Sequence, residues 1–325
     1  MDQLWAIREN PGIFRKAAEP VLLTTGPLSY WSPLPSRDGK KIFVSGHDQR
    51  FELTRFDLRS QEFAPYLGGM SVSDLSFSRD GQWIAYVKAP EGEMWRSRVD
   101  GSEQLYLTSV PVGSSLLRLQ WSPDGKRIAF FSQSPNGALR QTEKVYLVPA
   151  DGGAPPVEAV SKAPCFWPSW SPDGNSLVFL CEEPSKPGFY VLDLTTNQMS
   201  SIPESSKFWI PVFSPDGRSV LANDDHQISL FDLGQQKWRS LVAIEYPRWP
   251  TWSRDGRYVY FKTKGGTESI FRVRLADRKL EKLASLENVS GIQHSPWFSL
   301  APDDSPLVLR DMGTQEIYAL DWEAP

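Results

Sequence analysis

The sequence predicts an all-β fold, a seven-bladed β-propeller of four-stranded antiparallel blades. Three observations lead to this prediction: a short motif recurs seven times, its copies lie 39 to 49 residues apart, and β-rich runs follow each copy. A spacing of roughly 40–45 residues is that of one propeller blade. Four short strands in each repeat complete the pattern.

The recurring motif is an aromatic residue followed by Ser, by Pro or Arg, and by Asp-Gly. Its Asp residues mark the seven copies: Asp38, Asp80, Asp124, Asp173, Asp216, Asp255 and Asp303. The first copy lacks the aromatic residue, and the last has an altered ending. Ser, Pro, Asp and Gly in this order suit a type I turn whose Gly is left-handed. Each motif therefore predicts a hairpin loop, not a catalytic or metal site.

The ends of the chain predict how the ring closes. The last copy ends after its third strand, while Val21–Thr25 resembles a spare fourth strand. We expect Val21–Thr25 to pair with Ile317–Leu320 and so complete the last blade, because an open ring would leave strand edges unpaired. This arrangement gives one propeller domain over residues 20–325, with seven blades rather than the alternative of six. Residues 1–19 are then a terminal extension or the remnant of a preceding blade.

Composition narrows the possible partners and location. The chain has 35 Lys and Arg against 39 Asp and Glu, a net charge of −4. Nucleic-acid-binding surfaces leave a basic footprint, so we expect no direct nucleic-acid binding. No run approaches the ~18 apolar residues of a membrane-spanning helix. Residues 1–5 lack the basic and apolar regions of a signal peptide, which by itself indicates a cytoplasmic protein.

The first strand of each propeller blade lines the central channel. Residues three or four positions before the motif aromatic should therefore lie near one channel mouth. The candidate ligand-binding residues at that mouth are Trp31, Asp74, Arg118, Trp167, Trp209, Trp249 and His294. Indole rings beside a few polar groups suit a protein segment, a peptide or a saccharide. Alternatively, these tryptophans only pack between neighbouring blades.

Catalytic signatures are missing from the sequence. It contains no Gly-x-Ser-x-Gly elbow, no His-Glu-x-x-His, no P-loop and no Gly-x-Gly-x-x-Gly. Seven blades would also use about 300 positions, which leaves no room for a catalytic domain. We therefore expect a monomeric binding protein that is not an enzyme and uses no metal or cofactor. The alternative is a polysaccharide lyase or hydrolase-type enzyme that works in the channel.

The two cysteines, Cys165 and Cys181, flank the fourth motif turn. If Ser171 pairs with Asn175 across that turn, the two cysteines lie directly opposite each other on adjacent strands. A disulfide there is one alternative, although direct cross-strand bridges are geometrically demanding. Two reduced, buried cysteines are the other. A disulfide would indicate an oxidising compartment.

The repeat resembles the TolB-type, WD40-like propeller family, whose hallmark is the Trp-Ser-Pro-Asp-Gly turn seen at Trp121–Gly125. The resemblance extends from about Val21 to Trp322, and it implies a propeller fold, with six blades in TolB itself. More narrowly, residues 296–306 and 316–322 resemble the C-terminal propeller of bacterial regulators that carry a winged helix and a membrane segment. That resemblance implies the extracytoplasmic, periplasmic sensor module of a transcriptional regulator.

The related oligogalacturonate lyases use a His-containing metal site in the channel. By that resemblance, His294 would be one ligand in the enzyme alternative.

Overall fold

A computed structural model gives the structure of the protein. It describes residues 4–7, 19–26, 28–48, 50–109, 115–133, 143–160, 163–183, 185–265, 267–287, 289–292 and 297–321. These residues form β-strands and loops, with one short 3-10 helix at Leu67–Gly69, so the all-β prediction is confirmed. No helix among them has the length and apolar character needed to cross a bilayer. Contacts divide the chain into two compact units: Met1–Phe51 with Asp311–Pro325, and Glu52–Arg310.

The strands are numbered in chain order. The first six are β1 (Trp5–Ala6), β2 (Val21–Leu22), β3 (Ser29–Pro35), β4 (Lys41–Asp48), β5 (Phe51–Asp57) and β6 (Glu62–Pro65). The next eight are β7 (Val72–Phe77), β8 (Trp83–Lys88), β9 (Glu93–Arg98), β10 (Leu105–Ser109), β11 (Ser115–Trp121), β12 (Arg127–Gln133), β13 (Lys144–Pro149) and β14 (Val157–Glu158). Eight more are β15 (Cys165–Trp170), β16 (Ser176–Cys181), β17 (Gly188–Asp193), β18 (Gln198–Ser201), β19 (Val212–Phe213), β20 (Ser219–Asn223), β21 (Gln227–Asp232) and β22 (Lys237–Ala243). The last seven are β23 (Pro247–Trp252), β24 (Tyr258–Thr263), β25 (Ser269–Arg274), β26 (Leu280–Ser285), β27 (Phe298–Leu300), β28 (Pro306–Asp311) and β29 (Thr314–Asp321).

Six four-stranded sheets form the blades of the propeller. Blades 1 to 5 are the consecutive groups β7–β10, β11–β14, β15–β18, β19–β22 and β23–β26. Blade 6 has the order β27-β28-β5-β6, so it combines two late strands with two early ones. The Thr54 hydroxyl on β5 donates a hydrogen bond to the Val308 carbonyl on β28 at 3.0 Å. Blade 6 is thus the closure of the ring.

The motif turns show that blade 6 lies beside blade 1. A Cβ built on Gly217 of blade 4 would lie 3.1 Å from Pro172, in the turn of the preceding blade. Gly81 of blade 1 stands in the same relation to Pro302 of blade 6, at 3.2 Å. The turn contact that joins consecutive blades therefore also joins the last to the first. The ring within Glu52–Arg310 has six blades.

This strand order agrees with the six-blade alternative. It also corrects the expected pairing of Val21–Thr25 with Ile317–Leu320. Val21–Leu22 pairs with Trp5–Ala6, not with the last blade. Ile317–Leu320 pairs instead with Ile42–Ser45 on β4. The reason is that β5 and β6 complete blade 6 and leave the first hairpin, β3 and β4, without outer strands. That hairpin takes β29 as its third strand, in a sheet of the smaller unit.

The motif forms the predicted turn. In blade 2 the Ser122 hydroxyl donates to Asp124 Oδ1 at 2.5 Å and accepts the Arg127 N–H at 2.9 Å. Gly125 closes the turn with φ +71°, which suits glycine because it has no Cβ. Hydrogen bonds from Ser122 and Lys126 also hold the pKa of the Asp124 carboxyl below its usual range. The side chains of the motif Ser and Asp are thus hydrogen-bonded within the hairpin turn.

The motif tryptophans join neighbouring blades. Trp121 donates its indole N–H to the Ser76 carbonyl of blade 1 at 3.1 Å, and Trp170 donates to Gln120 of blade 2 at 3.0 Å. The second strand of each blade is buried on both faces, as in Leu177–Cys181 of blade 3. Two-sided burial explains why these strands read as continuous apolar runs rather than alternating ones.

Candidate ligand-binding site in the central channel

A bulge at the same point interrupts the first strands of blades 2, 3 and 5. The register shifts between Leu117 and Gln120 in β11, and at the equivalent points of β15 and β23. Within these bulges Arg118, Trp167 and Trp249 have φ values of 58°, 62° and 56°. The left-handed conformation costs a non-glycine residue roughly 1–2 kcal/mol, and bulges serve to re-aim side chains.

The three re-aimed side chains meet across the ring. The Trp167 and Trp249 rings are edge to face, with centroids 5.2 Å apart and an interplanar angle of 79°. The Arg118 guanidinium carbon lies 5.9 Å from the Trp249 ring centroid. Arg118 belongs to blade 2, and Trp249 belongs to blade 5, which stands opposite in a ring of six. Their contact is therefore made in the central channel.

Asp74 of blade 1 joins the same group and is only 2% exposed. Its Oδ2 accepts the Arg118 backbone N–H at 2.6 Å, and its Oδ1 accepts the Trp297 indole N–H at 3.3 Å. Burial raises the pKa of Asp74 to about 7, although these donors and the charge of Arg118 oppose the rise. We call Asp74, Arg118, Trp167 and Trp249 the channel cluster.

Arg118 carries a buried charge that is incompletely paired. Its side chain is 7% exposed, and Nε is sealed from solvent without a hydrogen-bond partner. Burial lowers the pKa of Arg118 to about 10, and the charge of Asp74 counteracts that effect. A buried charge is costly unless it is paired and hydrogen-bonded. The channel cluster therefore has unused capacity to bind a negative group.

Four of the predicted residues meet: Asp74, Arg118, Trp167 and Trp249. Trp209 of blade 4 is 47% exposed, while its neighbour Ile210 packs with Trp167 and Trp249 in one apolar cluster. Trp31 lies in the smaller unit, where its ring is 5.7 Å from that of His47. His294 lies outside the described residues.

Cys165 and Cys181 are direct cross-strand partners and form a disulfide. The predicted pairing of the two cysteines is confirmed, but the predicted turn register is wrong. Ser171 donates its backbone N–H to Ser176, not to Asn175. The turn is one residue longer than expected, and the bulge before Ser169 compensates for that residue. Two offsetting shifts restore the alignment of the cysteines.

Two arginines at the motif end of the channel were not singled out from the sequence. Arg79 and Arg254 occupy the motif position that is Pro in most copies, and both line a cavity of about 590 Å³. Arg254 donates to the carbonyls of Pro302 and Arg79, and Arg79 donates to that of Pro172. The replacement of Pro by Arg in two copies of the motif was the feature of the sequence that could have indicated them. These side chains tie turns together across the ring.

Comparisons with known proteins agree with this architecture. The model of the TolB beta propeller domain (PD40) matches residues 127–312, more than half of the chain. An uncharacterized protein of Agrobacterium fabrum, Atu1656, is 30% identical over 177 residues, which are 50% of this chain and 57% of that protein. The match to this curated relative thus spans little more than half of its length.

Solved propellers show the same fold. A putative TolB from Agrobacterium tumefaciens superposes with a TM-score of 0.64 at 19% identity, over 81% of this chain and 99% of that one. An oligogalacturonate lyase from Vibrio parahaemolyticus gives a TM-score of 0.56 at 12% identity, over 95% and 97%. At such identities the likeness concerns the fold alone. The repeat, the six-bladed ring and the family match together show that the chain belongs to the TolB β-propeller family.

Proposed function

We propose that the protein is a non-catalytic binding module whose channel cluster recognises a segment of a protein, a peptide or a saccharide. The observation that carries the proposal is the meeting of Arg118 of blade 2, Trp167 of blade 3 and Trp249 of blade 5, of which blades 2 and 5 stand opposite each other. Large aromatic surfaces beside a few convergent polar groups are typical of ligand sites. The motif tryptophans join adjacent blades, and Trp167 in addition packs on Phe131 of the preceding blade, with ring centroids 5.1 Å apart.

The polar residues of the repeat support binding rather than catalysis. The Ser and Asp of each well-formed motif are hydrogen-bonded to each other, as Ser171 and Asp173 are at 2.5 Å. In the channel, Asp74 faces N–H donors rather than a hydroxyl or thiol. A nucleophile needs a base within hydrogen-bond reach, and this carboxylate is directed to structural donors instead.

We place the module outside the cytoplasm, as the monomeric sensory part of a regulator. The Cys165–Cys181 disulfide supports this placement, because disulfides persist mainly in oxidising compartments. A sensor of this kind would detect its ligand through the channel and pass the signal to another part of a larger protein.

An array of immobilised peptides and oligosaccharides tests the binding proposal. The wild-type protein should be retained on a subset of the array, and the double variant Trp167→Ala/Trp249→Ala should lose at least tenfold in affinity for that subset. Trp95→Ala is the matched control, because Trp95 packs on an outer strand against Tyr106. Thermal unfolding verifies that each variant is folded. Equal binding by all three proteins, or no retention of the wild type, would refute the proposal.

A further inference from the structure

Arg118 differs from the other arginines of the described chain whose Nε lacks a partner. Arg55, Arg274 and Arg310 share that feature, but each has a terminal nitrogen paired with a carboxylate. Arg96 also shares it, but Arg96 is partly exposed and stacks over Trp83 at 4.4 Å. Among the described arginines, only Arg118 is buried. Its environment, rather than its residue type, is unusual.

The nearest acidic group does not complete the pairing of Arg118. Asp74 uses its two oxygens for the Arg118 backbone N–H and the Trp297 indole N–H. The guanidinium itself donates no hydrogen bond within the described part of the chain. Because burial raises the pKa of Asp74 to about 7, this carboxyl is also only partly charged near neutral pH. A carboxylate from outside the chain would supply both the missing charge and the missing acceptors, in the paired geometry that guanidinium groups favour.

The shape of the indole pair indicates what accompanies the carboxylate. Trp167 meets Trp249 edge to face, and Arg118 lies over the Trp249 ring. The two rings therefore make a corner beside a cation, not a flat platform. Both indoles remain partly exposed, so one apolar side chain can pack against them, and apolar anchors dominate peptide recognition. These contacts favour a peptide over a sugar ring.

We propose that the channel cluster binds a peptide segment that carries a carboxylate next to an apolar side chain. The carboxylate lies against Arg118, and the apolar side chain occupies the corner between Trp167 and Trp249. The inference rests on the proposed function and specifies its ligand. The carboxylate comes from a chain terminus or from an acidic side chain, which share the same chemistry.

Titration calorimetry with small probes tests the inference. N-acetylphenylalanine should bind at least tenfold more tightly than its primary amide, since a charge-assisted hydrogen bond contributes about that factor or more. N-acetyl-aspartyl-phenylalaninamide distinguishes the two sources: binding as tight as that of the free acid assigns the carboxylate to a side chain, and weaker binding assigns it to a terminus. Glucuronic acid is the saccharide probe and should bind more weakly than both acids.

Substitutions of Arg118 test whether this residue causes the preference for the acid over the amide. Arg118→Met should abolish the preference for acid over amide without lowering the melting temperature, because it removes a buried charge whose pairing is incomplete. Arg118→Lys should retain part of the preference. Arg96→Met is the matched control, because it removes another indole-stacked arginine with a buried Nε, and it should leave the preference unchanged.

Three results would overturn the inference. The first is equal affinity of the wild type for the acid and the amide. The second is an acid preference that survives in Arg118→Met, and the third is tighter binding of glucuronic acid than of the peptide acids. If array ligands still bind in a Trp167- and Trp249-dependent manner, only the carboxylate inference fails. If they do not, the proposed function fails with it.

Discussion

Replacing Asp74 by Asn is expected to change how the stability of the protein depends on pH. Asp74 is 2% exposed, and burial raises its pKa from 3.8 to about 7. In the unfolded chain the same carboxyl is solvated and ionises near its ordinary value. Asn keeps an acceptor for the Arg118 N–H but cannot ionise. Asn has a single oxygen and so cannot also accept the Trp297 N–H, which means that the pH dependence of the difference between the two proteins, and not its size at one pH, reports this one proton.

The sign and the size of this pH dependence follow from the linkage between proton binding and folding. Between pH 4 and 7 the native protein holds a proton on Asp74 that the unfolded chain has lost. The contribution of Asp74 is thus fully present below pH 4 and is lost as pH rises through about 7. A pKa difference of this size corresponds to about 4 kcal/mol. The free energy of unfolding of the wild type, relative to Asp74→Asn, should fall by up to that amount over this range.

Urea unfolding of both proteins between pH 3 and 8.5 measures the difference. We expect it to decrease from pH 4 to 7 and to level off above pH 8. Asp124→Asn is the contrasting control, because hydrogen bonds lower the pKa of Asp124, so its stabilising effect should be lost only below about pH 4. If the difference in unfolding free energy between the wild type and Asp74→Asn does not change with pH above pH 4, the reasoning is refuted, because Asp74 would then be ionised in the native protein.

Two further predictions test the ring closure and the redox state. Thr54→Val should lower the free energy of unfolding by about 1 kcal/mol, because it removes the bond to Val308 that joins β5 to β28. Thr108→Val, which removes only a 3.4 Å contact to the adjacent residue, should have a smaller effect in the same urea titration, and equal losses would argue against this closure. Unreduced, denatured protein should show no free thiols and two after reduction, because Cys165 and Cys181 form a disulfide. Two thiols before reduction would remove the support for an oxidising compartment.

The sequence predicted the parts of the fold that depend on local chemistry. The Ser-Pro-Asp-Gly turn is encoded by neighbouring residues, so each hairpin and the repeat length could be recognised directly. Ring closure depends instead on which strand edges pair over about 250 residues. Both β5–β6 and Val21–Thr25 have the composition of outer strands, and nothing local distinguishes which of them completes the last blade. The blade count was therefore one too high.

The channel cluster was partly predictable for a related reason. Repeat position alone indicated Asp74, Arg118, Trp167 and Trp249, because equivalent first strands place equivalent residues in the channel. The same rule also named Trp31, whose hairpin lies in the smaller unit. The unpaired guanidinium of Arg118 could not be predicted, since pairing depends on which groups from other blades reach it.

The central claim of this account is that opposite blades build one ligand site around Arg118 and the two indoles. A crystal structure of the protein with N-acetyl-4-bromophenylalanine tests it most directly, because bromine can be located by its anomalous scattering. We predict a bromine peak in the corner between Trp167 and Trp249, with the probe carboxylate about 2.7–2.9 Å from the Arg118 nitrogens. An empty channel at a probe concentration that saturates the protein in solution, or a probe bound at another place, would contradict the claim.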